Sequence, residues 1–171
     1  ANPFFFFFLD MAGWDIYGKL QRKQLHELWG LDIATAPLTD FTIGIDTIEK
    51  MVEKMKAKPW PIYKVKVGVE GDMEMVSELR KNTHAILRVD ANAGWTLEQA
   101  LQKIPVLKEL GVELVEQPLA KDDWEGMKVL FEKSTLPLIA DESCVAETDV
   151  EKCHNHFHGI NIKLTKCSGI T

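Results

Sequence analysis

The sequence predicts an α/β fold, a partial (β/α) barrel in which about six of the eight strands are present. Three observations predict it. From residue 39 onward, short β-rich runs alternate strictly with amphipathic helical stretches. Charged stations recur along that alternation, Lys64 and Lys66, Asp90 and Asn92, Glu116, Asp141, then Lys163, at steps of 24, 26, 25 and 22 residues. A step of this size is one strand, one loop and one helix, so each station falls at the same end of successive parallel strands. Finally, no Gly-rich phosphate loop follows the first strand. An open doubly wound sheet gathers its ligands at one switch point, whereas here the ends of strands two to six all carry reactive groups, which favours a barrel.

The elements follow in order. Asn2 before Pro3 reads as an N-cap with proline in the first turn, opening a helix through roughly Lys19, and a second helical stretch runs from Arg22 to Trp29 and stops at Gly30. Residues 1–38 are thus expected to be a helical lead-in, and residues 39–171 the partial barrel carrying the reactive groups. Its strands are expected at Phe41–Asp46, Tyr63–Val67, Ile86–Asp90, Leu114–Glu116, Leu138–Asp141 and Gly159–Leu164. The five crossover helices are expected at Thr47–Lys58, Met73–Lys81, Leu97–Leu110, Trp124–Lys133 and Glu147–Cys153. Glycine or proline marks many junctions, among them Gly68, Gly94, Gly111, Pro118 and Pro137. A closed barrel needs about 250 residues. A chain of 171 residues ending just after a sixth strand is therefore expected to be an internal piece of a longer protein.

Composition narrows the function. The net charge is -6 and no Lys/Arg block interrupts the acidic balance, so the footprint for nucleic acid or an anionic membrane is missing and a small-molecule partner is expected. Three widely spaced cysteines without a CxxC pair suit a reducing compartment, and the cytoplasm is the expected location. The longest apolar run, Phe4 to Leu9, is far short of the ~20 residues of a membrane span. Five adjacent phenylalanines, Phe4 to Phe8, point all around a helix axis, so this helix is expected to pack between the domain and another layer.

The stations carry the chemistry. Lys64 and Lys66, two apart on a strand, project to one face while Val65 and Val67 face the helices. A lysine acts as a base only when neutral, and a neighbouring ammonium with a nearby dication lowers its pKa toward that range. Asp90, Glu116 and Asp141 each end a strand, and three carboxylates at one mouth repel unless a cation sits among them. Oxygen-only ligation suits Mg2+, whereas zinc would recruit His or Cys. Asn92, on the face of Asp90, is a candidate for substrate contact. Lys163, on the sixth strand, faces the second strand across an eight-membered ring, which sets two potential bases about a metal. Lys166 reads as a loop lysine. Cys153, His154, His156 and His158 crowd together, but their spacing lacks the two separated ligand pairs of a closed zinc site.

The motifs Tyr63-Lys64-Val65-Lys66, Val89-Asp90-Ala91-Asn92, Val115-Glu116-Gln117-Pro118, Ala140-Asp141-Glu142-Ser143 and Asn161-Ile162-Lys163-Leu164 together resemble the enolase superfamily in its muconate-lactonizing subgroup. Leu9-Asp10-Met11-Ala12 through Asp15-Ile16-Tyr17-Gly18-Lys19 also looks like the helix leading into this family's TIM-type barrel. The resemblance implies that Asp90, Glu116 and Asp141 hold Mg2+, that Lys66 is the base on one face and Lys163 the acid or base on the other, and that Lys64 is a supporting, substrate-contacting charge. It implies an isomerase that moves the α-proton of a carboxylate substrate through an enediolate. Thr39 to Asp46 and Asp141-Glu142-Ser143-Cys144 look most like dipeptide epimerases of the L-Ala-D/L-Glu type. The alternatives are o-succinylbenzoate synthase or muconate cycloisomerase chemistry on the same scaffold, a Schiff-base aldolase on a similar barrel, or an inactive fragment. Barrels of this family are often oligomeric, so a homo-oligomer is among the implied assemblies. Two departures stand out: Ser168-Gly169 replaces the Gly-Gly pair that usually follows the sixth-strand lysine, and the capping domain and last two strands are absent.

Overall fold

A computed structural model of the chain describes residues 2–171. Its residues cluster in two compact units: one of residues up to Leu38 with Val145–Glu147 and Ile162–Thr171, the other of Thr39–Cys144 with Thr148–Asn161.

In the first unit, helix α1 (Pro3–Gln21) starts as its sequence dictates: the Asn2 side chain accepts from Phe4 N–H at 3.0 Å and proline occupies the first turn. It ends at Arg22, whose left-handed backbone (φ 53°) caps the last carbonyls, so the expected second helix shortens to α2 (Leu25–Leu28). Within the described residues Phe4, Phe5, Phe6 and Phe8 remain exposed. Asp10 anchors the end of the chain by accepting from Ile170 N–H at 2.6 Å and from the Thr171 hydroxyl. That turn passes through two successive positive φ values, Ser168 at 70° and Gly169 at 127°. A Cβ on Gly169 would collide with the Asp10 carboxylate, so only glycine fits there. Ser168, by contrast, carries a side chain in a conformation costing about 1–2 kcal/mol, part of which glycine returns as unfolded-state entropy. Ser168→Gly is therefore expected to stabilise the protein by about 0.5–1 kcal/mol in urea denaturation.

The second unit is a six-stranded, all-parallel sheet in the order β1 to β6, the arrangement of a TIM-type barrel segment rather than of a doubly wound sheet with its reversed strand order. The strands are β1 (Phe41–Ile43), β2 (Ile62–Lys66), β3 (Ile86–Asp90), β4 (Val112–Glu116), β5 (Leu138–Ala140) and β6 (Gly159–Ile160). Helices α3 (Ile48–Ala57), α4 (Asp72–Lys81), α5 (Leu97–Glu109), α6 (Trp124–Lys133) and α7 (Glu147–Cys153) cross between them. Local chemistry sets their starts. Thr96 and Gln99 form a reciprocal capping box on α5, and Asp123 accepts from Gly126 N–H at 2.9 Å to open α6.

Side chains alternate across the sheet. Val65, Val89, Val115 and Leu138 are fully buried and pair in register from strand to strand, forming one row of the layer that packs with Leu79, Ile104, Leu107, Met127 and Leu130 of the helices. The other face carries Lys64, Lys66, Arg88, Asp90 and Glu116. One row of the register reads Lys66, Asp90, Glu116 across β2, β3 and β4. A bulge in β4 between the partners of Leu87 and Val89 keeps Glu116 level with Asp90 and turns Glu113 toward Arg88, at 2.6 Å.

Three strands, β1, β5 and β6, are shorter than expected. β1 stops at Ile43, before Gly44. Among the described residues β6 pairs with β5 alone, and β5 ends at Ala140, so the ladder stops after the bond from Asn161 N–H to Ala140 O (2.7 Å). Lys163 therefore lies past the strand end rather than on it, in the Ile162–Thr171 segment of the first unit, with its side chain exposed.

The Cys153-to-His158 cluster is absorbed into the framework. Cys153 is buried beside Cys144, and burial pushes its thiol up to about 12. His156 stacks edge-on against Trp124. His158 lies against Phe131, and its Nδ1 accepts from Leu138 N–H at 3.1 Å at the start of β5. That bond needs the neutral ring, and burial lowers the His158 pKa from its ordinary value near 6.5. Because the folded pKa is depressed, this contribution is fully present above the ordinary histidine range and is lost as pH falls through the lowered value. Melting curves from pH 8 to 5 are expected to show an acid-side loss that is smaller in His158→Asn, whose amide oxygen stays an acceptor.

Candidate active site

The ends of β2, β3 and β4 bring four of the sequence-predicted residues into contact. Lys64 Nζ lies 2.7 Å from Glu116 Oε2 and 3.0 Å from Asp90 Oδ2, and Lys66 Nζ lies 2.6 Å from the same Asp90 oxygen. Burial makes these pairs matter: Asp90 is 0% exposed and Glu116 6%, while the lysine side chains keep a path to solvent at 16% and 30%. Burial alone would raise the Asp90 pKa, but the hydrogen bonds from Lys66 and Lys64 outweigh it and hold the carboxyl below its usual range.

For Lys64, too, burial opposes the charge, and Glu116 and Asp90 overcome it, so its pKa is raised. The two carboxylates on Lys64 dominate over the nearby ammonium, and Lys64 is a fixed positive charge between them.

Asp141 is 2% exposed and follows β5 directly. Its backbone N–H donates to Gln117 Oε1 at 3.0 Å. Asn92 differs from expectation, because β3 ends at Asp90 and the chain turns through left-handed φ values at Asn92 (47°) and Ala93 (60°). The Asn92 backbone N–H, not its side chain, bonds Asp90 Oδ1 at 3.0 Å, and the side chain is exposed. Lys163 belongs to the other unit.

Two residues within the strand-end motifs had no role assigned from sequence. Asn161 Nδ2 donates to Glu116 Oε1 at 2.9 Å, so Glu116 is held on one oxygen by an amide and on the other by Lys64. Gln117 is fully buried and bonded on both sides of its amide. Their signal was position alone, adjacent to Glu116 and two before Lys163.

Among the described residues, no three His, Cys, Asp or Glu side chains close around a common point. Between Asp90 and Glu116 sits the Lys64 ammonium instead. The donor set nevertheless fits a hard dication. Asp90, Glu116 and Asp141 are buried, offer only carboxylate oxygens and stand at the ends of three adjacent strands, and Asp90 and Glu116 share the positive charge of Lys64.

Known proteins place this arrangement. Residues 46–171 match the family described as Enolase C-terminal domain-like. The L-Ala-D/L-amino acid epimerase of Flavobacterium johnsoniae is 54% identical over 163 residues, covering 95% of this chain and 48% of that protein. The L-Ala-D/L-Glu epimerase of Bacteroides thetaiotaomicron is 41% identical over 165 residues, covering 95% of this chain and 43% of that protein. Among solved structures, the dipeptide epimerase of Enterococcus faecalis V583 complexed with Mg and L-Leu-L-Tyr superposes with a TM-score of 0.88 at 33% identity, covering 99% of this chain and 50% of that one. The chain thus spans about half the length of the curated relatives it matches. With the parallel sheet and the lysine–carboxylate row at its strand ends, the match over residues 46–171 makes this chain a member of the enolase C-terminal domain-like family.

Proposed function

We propose that the protein carrying this chain is a Mg2+-dependent dipeptide epimerase that inverts the α-carbon of the substrate's C-terminal residue. The observation that carries the proposal is the register row Lys66, Asp90, Glu116, with Lys64 bonded to both carboxylates. The relatives' epimerase activity and the Mg and dipeptide bound to the Enterococcus faecalis enzyme support it.

Asp90, Glu116 and Asp141 would hold the Mg2+. Bound there, the ion supplies positive charge that stabilises the enediolate formed when an α-proton leaves a carboxylate substrate. The chain's own groups do the rest. Lys66, partly open to solvent, takes the α-proton from one face. Its motif assigns Lys163 the return of a proton to the other. Lys64 stays charged and faces the substrate carboxylate, and Asn92, exposed on the adjoining loop, is placed for substrate contact. Proton removal and return without net bond change is an epimerisation, so substrate and product are diastereomeric dipeptides.

The partner is then a small molecule, and no helix among the described residues is long and apolar enough to cross a membrane. A cytoplasmic location fits cysteines that form no disulfide among the described residues. The test is chiral chromatography of L-Ala-L-Glu and of hydrophobic dipeptides incubated with the full-length protein and Mg2+. Appearance of the second diastereomer is expected. Turnover of a muconate or of an o-succinylbenzoate precursor, with the dipeptides untouched, would reassign the reaction within the same scaffold.

A further inference from the structure

The most completely bonded side chain beside the site is not one of the charged groups. Gln117 is 0% exposed, and its amide uses its full capacity of two donors and two acceptors. Oε1 accepts from Asp141 N–H at 3.0 Å and from Ser143 N–H at 3.1 Å. Nε2 donates to Leu119 O at 2.9 Å and to Ser143 Oγ at 2.8 Å, and that hydroxyl passes the chain on to Lys121 O at 2.9 Å.

The backbone of Gln117 is bonded on both sides as well. Its N–H donates to Ile139 O at 2.8 Å, and its carbonyl accepts from Ala93 N–H at 2.8 Å. It does this at a left-handed φ of 37°, beside Asn92 and Ala93 in the same region. Non-glycine residues hold such conformations only where the surroundings over-determine them. The same rim admits no Cβ at Gly94, which would stand 2.7 Å from Gly68 O. Residue 117 therefore joins the loops that leave β3, β4 and β5, where Asp90 and Glu116 end their strands and Asp141 follows the last residue of its own.

We infer that Gln117 is a positioning residue: by capping the N–H groups of Asp141 and Ser143 it fixes the Asp141 carboxylate relative to Glu116. This rests on the proposed reading of Asp141 as a Mg2+-holding group. The two carboxylates come from strands whose ladder has ended, since Glu116 pairs with Ile139 and the last residue of β5 is Ala140. The β4–β5 register stops at Glu116 and Ile139, short of Asp141, and the Gln117 amide adds a link there. A glutamine does so without adding charge beside the carboxylates.

The test measures divalent-cation binding by the full-length protein, with Mg2+ by calorimetry and Mn2+ by electron paramagnetic resonance. Gln117→Met keeps the volume but leaves two buried N–H groups unanswered, and is expected to weaken both cations by 10- to 100-fold. Gln117→Glu keeps the acceptor and should weaken binding less. Ser134→Ala serves as the control: it removes a part-buried loop contact to Leu136 at the opposite end of β5 and should lower the melting temperature while leaving the dissociation constants unchanged. A Gln117→Met protein that melts lower but binds both cations within twofold of wild type would overturn the inference, leaving the metal reading intact.

Should Gln117→Met fail to fold, the wild-type side-chain amide decides. Its two N–H resonances are expected to shift as Mg2+ is added, and resonances unmoved at saturation would overturn the inference. A wild-type protein that binds neither cation would overturn the metal reading and the inference with it.

Discussion

Alanine in place of Lys66 is expected to lower the epimerisation rate constant by about 10²–10⁴-fold, the range general-base catalysis supplies, since the neighbouring Lys64 is not free to substitute. Lys64, two residues away, is bound to Glu116 and Asp90 and held charged by them. The effect should fall on kcat rather than KM, because in the proposed mechanism Lys66 acts on the reacting proton while other groups hold the substrate. Steady-state kinetics on the full-length protein measure it. A variant retaining a tenth of wild-type kcat would remove Lys66 from the mechanism.

The second large effect concerns stability. Lys64→Met leaves Asp90 and Glu116 buried without the ammonium they share, and removing one partner of a buried pair costs about 3–5 kcal/mol. Without added metal the variant should melt well below wild type. Mg2+ should then raise its melting temperature by more than it raises that of wild type, because the cation no longer displaces an ammonium from the same oxygens. Calorimetric scans with and without Mg2+ measure both shifts. Equal Mg2+ shifts in the two proteins would mean that the ion binds elsewhere.

Much of this architecture could be read from residues. Ile86–Asp90 and Trp124–Lys133 form a strand and a helix with the expected bounds, because each has a clean period and a defined end, Asp90 before a turn and Asp123 as an N-cap. The alternation that put Lys64 and Lys66 on one face and Val65 on the other follows from strand geometry alone and needs no knowledge of neighbours.

What sequence could not show depended on partners. β6 ends at Ile160 because β5 ends first, a tertiary fact that no property of Asn161-Ile162-Lys163 encodes. Asn92 lost its expected place on the Asp90 face because the strand stopped and the backbone turned left-handed, which asparagine tolerates and its sequence context does not announce. The partners of Lys64 were hidden for a related reason: sequence shows a second lysine two residues away but not the two carboxylates within 3.0 Å. Gln117 and Asn161 were visible as letters in motifs, yet their work lies in hydrogen bonds to residues 24 and 45 positions away.

The central claim is that this lysine–carboxylate row moves a proton on and off carbon. Lys66→Arg tests it most directly, since guanidinium keeps the positive charge beside Asp90 but stays protonated at any working pH. Proton NMR of a dipeptide substrate in D2O should show α-hydrogen exchange at its C-terminal residue with wild-type protein and Mg2+. Exchange should cease on chelation and vanish in Lys66→Arg for the epimer whose proton Lys66 removes. Exchange of both epimers at the wild-type rate in Lys66→Arg would contradict the account.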